Sequence, residues 1–351
     1  GSIGQVHALL PREGAAGTTG GGEAVAKISF HEEHWKMRED FAAMAALGIN
    51  TGPDEVSTLL RSIWLFVQDS IRQIEGEFDM RREANFTRLG KQMVEAGQQE
   101  VSGHVERAFG VGRSLLPRLA VPSVIDVPSD AVLVLEKVPG VPLLAYLDSL
   151  PVGPLREAEQ VAAFGTILMW IGWMIFVKGF YHGDPHPGQF VLDPGERQLP
   201  PGSRRLWLLD WGLCQELSAE QRYNLHELYH LMHFYYDAST LRPRILQVAP
   251  AVLEYLAGRL AMERMVLWAL SDMEDHLKGR IAAVMRRMGF ATARDSDLTL
   301  TVGAFGLFDT NIAFNDVDIL NKWMQYDSVV TIPGEYLILT RMVQTLGGLS
   351  R

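Results

Sequence analysis

The stretch H-G-D-P-H-P-G-Q at residues 182–189, followed by L-W-L-L-D-W-G at 206–212, decides how the rest of this chain is read. Asp184 and Asp210 both stand at strand borders, the second directly after the four apolar residues Leu206, Trp207, Leu208 and Leu209. Pro185 and Pro187 stiffen the loop that carries Asp184, because proline fixes φ. Gly212 frees the backbone just past Asp210. Carboxylates on stiff loops at the ends of buried strands suit divalent-cation binding and proton abstraction. His182 and His186 flank Asp184 and could be read as a zinc cluster. With a single cysteine in the chain and no third obvious histidine, that reading is the weaker one.

The spacing points to phosphoryl transfer. The protein-kinase catalytic loop is H-R-D-x-x-x-x-N, with a metal-binding amide five residues after the catalytic aspartate. His182, Asp184 and Gln189 fall at those intervals, and D-W-G stands where D-F-G would. Upstream, Lys27 in A-V-A-K-I resembles the strand lysine that contacts the α- and β-phosphates. A lysine in an apolar strand needs a counter-charge, since a buried unpaired cation is costly. Glu75, Glu77, Asp79 and Glu83 are the candidates, all in a stretch that reads as helical. A lone D-W-G is weak, and so is one Asp beside a Pro. The ordered set of lysine, acidic helix, H-x-D-x-x-x-x-Q and D-x-G is specific.

Composition bounds this reading. The chain has 351 residues, 47% hydrophobic and 21% charged, which is globular and long enough for a large core. Lys+Arg 32 against Asp+Glu 42 gives −10, which speaks against a general nucleic-acid binder. One cysteine, Cys214, forms no internal disulfide and reads as a small packed side chain just past D-W-G. The charge-free run from Val161 to Val177 sits at the lower edge of the ~20 residues a membrane span needs. Its neighbours, a Pro/Gly turn before and the polar H-G-D-P-H-P-G-Q after, make it a buried helix instead.

The organisation is a mixed front and a helical back. Strands are expected at 5–10, 24–30, 119–127 and 131–138, the last two separated by Pro128 and Ser129. The residues of 54–99 repeat apolar positions at three and four and read as helix. Beyond the Pro/Gly clusters at 139–142 and 151–154, helices are expected at 155–180, 218–236, 242–258, 259–288 and 333–347. Two short strands, 189–192 and 206–209, interrupt them.

These residues resemble the UbiB-like (AarF/ADCK, ABC1-type) atypical kinases. S-I-G-Q-V-H at 2–7 resembles the signature that ends that family's Ala-rich loop, which replaces a glycine-rich one. E-F-D at 77–79 resembles its E-x-D motif, R-E-A-N at 82–85 its αC segment, and V-L-E-K-V-P-G-V-P-L at 134–143 its hinge. H-G-D-P-H-P-G-Q resembles its H-x-D-P-H-P-G-N.

The resemblance implies an α+β, protein-kinase-like two-lobed fold. Residues 1–140 would be a small mixed N-lobe with helical insertions, and 141–351 a larger, mainly helical C-lobe. It implies ATP and Mg²⁺ as ligands, with Ser2, Ile3 and Gly4 over the phosphates and Glu136 and Val138 near the adenine. Lys27 would contact phosphate and Glu83 would hold Lys27. Asp184 would be the base or water-positioning group, and Asp210 and Gln189 would hold metal. Glu77 and Asp79 would belong to a regulatory apparatus. The implied role is a kinase or ATPase supporting isoprenoid-quinone or related lipid metabolism. The family's usual compartments are mitochondrion or plastid in eukaryotes and cytoplasm or membrane surface in bacteria.

Two departures from the pattern matter. Gln189 stands where the family has Asn, and one added methylene moves the amide by about 1 Å. The K-x-G-Q helix motif and the alanine run are absent, as expected of a piece of a longer protein. Two alternatives follow: a nucleotide-binding pseudokinase or scaffold, and a small-molecule kinase of the aminoglycoside or choline kinase type, whose H-G-D this loop shares. The arginines on 242–288 (Arg244, Arg259, Arg264, Arg280, Arg286, Arg287) would suit a membrane or lipid surface, or simply a solvated helix face. No protein partner can be named from the sequence.

Overall fold

A computed structural model describes residues 4–9, 23–30, 35–36, 39, 43, 78–109, 116–193, 204–236, 260–309 and 326–349. The chain divides into two compact units. One holds residues 1–51, 66–217 and 345–351; the other holds 52–65 and 218–344. The expected helix at 242–258 and the first part of the one at 54–99 lie outside the described residues.

In the first unit, β1 (Gly4–Leu9), β2 (Ala24–Ser29), β4 (Val124–Ser129) and β5 (Val132–Glu136) form an antiparallel sheet in the order β1-β2-β5-β4. Lys27 pairs across β2 with Val6 on one side and Leu133 on the other. The expected strand 119–127 is in fact two. Pro122 breaks it: β3 (Arg118–Ala120) pairs with β9 (Arg205–Leu208) in a second sheet, and β4 pairs with β5. Nor do Pro128 and Ser129 end β4, which runs to Ser129. Proline lacks an N–H, but β4 lies at the sheet edge and its register shifts there, so no ladder bond is lost.

Helix α1 (Met80–Phe109) lies on this sheet, with Met80 and Ala84 buried against Leu133 and Leu135. That apolar pair one turn apart sets which face of α1 meets the sheet, and Glu83 lies on it.

The second sheet has the order β3-β9-β8-β6, with β6 (Val141–Pro142), β8 (Phe190–Asp193) and β9 (Arg205–Leu208); β3 and β9 are parallel. Helices α2 (Leu143–Ser149) and α3 (Pro154–Trp173) follow β6. Proline at the first position of α3 starts a helix without wasting a hydrogen bond. α3 widens into a π-helical turn, Met174–Lys178, closed by Gly179 at φ 67°. This segment, Pro154–Lys178, is long and apolar enough to cross a membrane. More than half of it is buried, however, including Ile167, Trp170, Ile171 and Met174, so it is a core helix of this unit. A short ribbon of β7 (Phe180–His182) and β10 (Cys214–Glu216) then places both motif loops side by side.

The second unit is mainly helical: α4 (219–236), α5 (Leu260–Arg287), α6 (Asp297–Phe308) and α7 (Gly334–Leu349) as far as Gln344, with a ribbon of β11 (Ala291–Thr292) and β12 (Val329–Thr331). α6 has no counterpart in the sequence reading. Ser296 caps it, its hydroxyl accepting from the Thr299 N–H at 3.3 Å. The described elements are helices and antiparallel-rich sheets, as expected of the α+β class.

Two glycines of α1 give a paired test. A Cβ on Gly90 would lie 2.3 Å from the Trp211 ring, whereas one on Gly103 meets nothing within 4 Å. Gly90→Ala is expected to destabilise by about 1–3 kcal/mol through overpacking. Gly103→Ala is expected to stabilise by roughly 0.5–1 kcal/mol through helix propensity. Urea denaturation of the two variants checks both signs.

Candidate active site

The site begins with a charge inside an apolar strand. Lys27 stands between Ala26 and Ile28 on β2, the second strand of its sheet, and its side chain is 21% exposed. It donates to both carboxylate oxygens of Glu83 at 2.8 Å and to Asp210 Oδ2 at 3.0 Å. Glu83 is almost wholly buried, while the Asp210 side chain is 37% exposed. Burial disfavours the Lys27 charge, but the Glu83 and Asp210 carboxylates outweigh it and raise its pKa well above the ordinary lysine value. Burial likewise pushes the Glu83 carboxyl up, with Lys27 opposing. For Asp210, burial is outweighed by Lys27 and by the Gly212 N–H, and the carboxyl falls below its usual range.

Three features hold Asp210 in place. The Gly212 N–H donates to Oδ1 at 3.0 Å, and a Cβ on Gly212 would sit 3.3 Å from that oxygen. Trp211 is fully buried; its indole N–H donates to the Leu208 carbonyl at 3.0 Å and its ring packs near Phe180 and His182. His182 Nε2 donates to the backbone carbonyl of Asp210, while His182 Nδ1 accepts from the Asp184 N–H at 3.2 Å. One donor and one acceptor nitrogen make a neutral ring, and burial lowers the His182 pKa in the same direction.

The catalytic-loop candidates follow. The backbone N–H of Asp184 is anchored on His182, and its side chain is partly exposed. Gly183 N–H donates to the Leu213 carbonyl and Leu209 N–H to the Gln189 carbonyl at 3.0 Å, so loops 182–189 and 209–213 are zipped together. His186 has a local structural role: its Nδ1 accepts from the Gly188 N–H at 3.0 Å and caps the turn Pro187–Gln189. Gln189 is half-buried at the end of that turn.

The structure thus brings Lys27, Glu83 and Asp210 into direct contact, with His182 and Asp184 on the adjoining loop. Other candidates stand apart from these contacts. Glu136 accepts from the Ser123 N–H at 3.0 Å and hydroxyl at 2.7 Å. Although burial opposes it, these bonds hold its carboxyl below the usual range. Glu136 also lines a cavity with Lys91, Arg118, Arg205 and Trp207. Val138 is half-buried just past β5, Gly4 opens β1, and Asp79 is exposed, its carboxylate accepting from the Arg81 N–H at 2.9 Å before α1. Ser2, Ile3 and Glu77 lie outside the described residues. The sequence reading missed the locking roles of Trp211 and Ser123; neither residue type signals such a role by itself.

The donor set suits a cation that arrives with its own oxygens. Among the described residues no group of three or more His, Cys, Asp or Glu could hold a metal ion. Mg²⁺ needs only one or two carboxylates when phosphates and water complete its shell, and Asp210, ionised and partly exposed, fits that requirement. A lysine held charged beside it suits phosphate oxygens.

The family model described as "ABC1 atypical kinase-like domain" matches residues 1–240. AarF domain-containing kinase 1 of Drosophila melanogaster is 32% identical over 101 residues, 29% of this chain and 18% of that relative. A solved structure, the complex of Rv3197 with erythromycin from Mycobacterium tuberculosis, is 19% identical with a TM-score of 0.39; the match covers 71% of this chain and 52% of that one. Both matches therefore span well under two thirds of the relative's own length.

Removing the cation from the triad would leave a nearly buried carboxylate facing a second one. Lys27→Met is expected to cost about 3–5 kcal/mol at pH 8. Without Lys27 the already raised Glu83 pKa rises further. A carboxyl whose folded pKa exceeds its unfolded value keeps its stability at low pH and loses it as pH climbs through the folded value. The deficit of Lys27→Met relative to wild type should therefore shrink between pH 8 and pH 5. Urea denaturation at both pH values measures it.

Proposed function

This chain belongs to the ABC1 atypical kinase-like family, and on that premise we propose that it binds Mg-ATP and transfers the γ-phosphoryl group to water or to an acceptor hydroxyl. The single observation that carries the reading is the triad of Lys27 with Glu83 and Asp210. In protein kinases the ion pair of a strand lysine with a helix glutamate and a D-x-G aspartate placed to hold Mg²⁺ are both required for phosphoryl transfer.

In this reading Lys27 holds phosphate oxygens while Glu83 fixes its position. Asp210 would be the residue that holds Mg²⁺. The metal, once bound, neutralises charge developing on the phosphates. Asp184 accepts the proton of the attacking hydroxyl or orients it, its backbone anchored to His182. The neutral His182 ties that loop to the carbonyl of Asp210, so both aspartates keep a fixed relation. The lobe division near residue 140, the nucleotide contacts of Ser2, Ile3, Gly4, Glu136 and Val138, and a role in isoprenoid-quinone or related lipid metabolism belong to the same proposal; the last rests on family resemblance.

Gln189 supports a second reading, a nucleotide binder with little turnover. Its backbone N–H donates to the His186 carbonyl at 2.9 Å and its carbonyl accepts from Leu209, so the backbone does not easily retreat to absorb a longer side chain.

Phosphate release and ATP affinity measured on wild type, Asp210→Asn and Gln189→Asn separate the two. Asp210→Asn is expected to lower release at least about 100-fold; equal behaviour of wild type and this variant would sink the catalytic reading. Gln189→Asn is expected to raise release by about tenfold or more if amide placement limits the rate, and no gain means that glutamine serves as well as asparagine.

A further inference from the structure

The cavity beside Glu136 lies within the first unit and away from Lys27. One wall is Lys91, Glu95 and Gln98 of α1, and the facing wall includes Arg118 of β3 with Arg205 and Trp207 of β9; the volume is about 850 Å³. The three α1 residues stand at i, i+4 and i+7 and share one helix face. Lys91 comes eight residues after Glu83, which is about 12 Å along the helix axis. Of the proposed nucleotide contacts only Glu136 lines this cavity, and its carboxylate is engaged by Ser123.

The sheet register sets the charge of the facing wall. Arg118 and Arg205 are partners in the parallel pairing of β3 with β9. Such partners lie about 5 Å apart with side chains on the same face, and like charges so placed repel. Ala120 and Trp207 form the next pair on that face, while Leu119 and Leu206 are buried on the other. The Arg205 guanidinium lies over the ring of buried Trp207, 5.6 Å from its centroid, which gives this cation a fixed seat. Neither Arg118 nor Arg205 makes an ion pair among the described residues, whereas Arg156, Arg204, Arg286 and Arg287 each hold a carboxylate. Lys91 is a third cation, its Nζ donating to Ser123 Oγ at 2.5 Å.

A repelling pair of guanidinium forks matches a doubly charged oxyanion. A phosphomonoester carries about −1.5 to −2 at pH 7 and offers three acceptor oxygens, which arginine forks bind bidentately. The acidic residues of the lining narrow the rest of the ligand. Asp193, the partner of Arg205 on β8, and Glu95 on α1 repel a molecule that is anionic throughout. Glu95 and Gln98 instead offer oxygen acceptors to hydroxyl groups. The volume falls within the range of small-molecule sites.

We propose that this cavity binds a phosphorylated polyol, with Arg118 and Arg205 on the phosphate and Glu95 and Gln98 on its hydroxyls. This assignment stands independently of the nucleotide reading, because no residue of the Lys27 cluster takes part in it.

Isothermal titration of the chain with glucose 6-phosphate, glucose 6-sulfate and inorganic phosphate tests it. The sugar phosphate is expected to bind at least about tenfold more tightly than the sulfate, since the two differ in charge and hardly in shape. It should also bind at least about tenfold more tightly than inorganic phosphate, which brings no hydroxyl-bearing skeleton. Arg118→Gln and Arg205→Gln should each weaken the sugar phosphate by about tenfold or more, with circular dichroism and thermal midpoint confirming that each variant is folded. Asp210→Asn separates this cavity from the Lys27 cluster. A phosphate bound beside Lys27 would gain affinity once that carboxylate is neutral, whereas one bound here keeps the affinity it had. Sugar phosphate affinity that is matched by the sulfate or by inorganic phosphate, that survives either arginine substitution, or that changes in Asp210→Asn overturns the proposal, as does no binding at all.

Discussion

The bond between Lys27 and two carboxylates governs the first unit. A charge placed inside a sheet is tolerated only if partners meet it there. Glu83 comes from the first turns of α1 and Asp210 from the loop after β9, so the one cation ties together three elements far apart in sequence. Their energetic needs are reciprocal. Burial pushes the Glu83 carboxyl up and Lys27 opposes it, while Lys27 keeps its proton because two anions surround it. Attraction and desolvation oppose one another throughout this triad, so its value lies in geometry more than in net stability.

That geometry is made precise by apolar packing. Met80 and Ala84 seat α1 on the sheet and thereby aim Glu83, one residue away, at Lys27. Trp211 fills the space that Gly90 leaves open on the same helix, and its neighbours Asp210 and Gly212 are positioned as a consequence. His182 then closes the arrangement, donating through one nitrogen and accepting through the other. A protonated His182 would have two donors and would lose the bond from the Asp184 N–H. Burial of the ring prevents this, so a packing effect determines a proton position.

What the sequence revealed follows from how local each signal is. Asp184 and Asp210 were legible because prolines, a glycine and an apolar run surround them within a few residues. Lys27 was legible because an isolated charge interrupts a strand pattern. Glu83 needed more: four acidic residues competed, and only the motif resemblance singled it out, since helix phase cannot be read before the helix start is known. The break at Pro122 escapes the sequence because the segments on either side of it join different sheets, and the continuation through Pro128 escapes it for another reason. A proline's effect depends on whether its strand lies at an edge, which is a property of the sheet and not of the segment. α6 escaped notice because L-T-L-T-V-G-A-F-G-L-F is apolar on nearly every face and has no amphipathic period.

Cys214 shows how position in the fold can settle a question of reactivity. Two residues past D-W-G, a thiol could have been a nucleophile or a metal ligand. It pairs instead with His182 across the β7–β10 ribbon and is fully buried. Burial, with the Asp210 and Glu83 charges adding to it, pushes its pKa well above the ordinary thiol value. The thiolate is the reactive form, and raising the pKa suppresses it. The same carboxylates that keep Lys27 charged therefore keep Cys214 neutral. The electrostatics that hold Lys27 in its charged form thus withhold a thiolate from this loop.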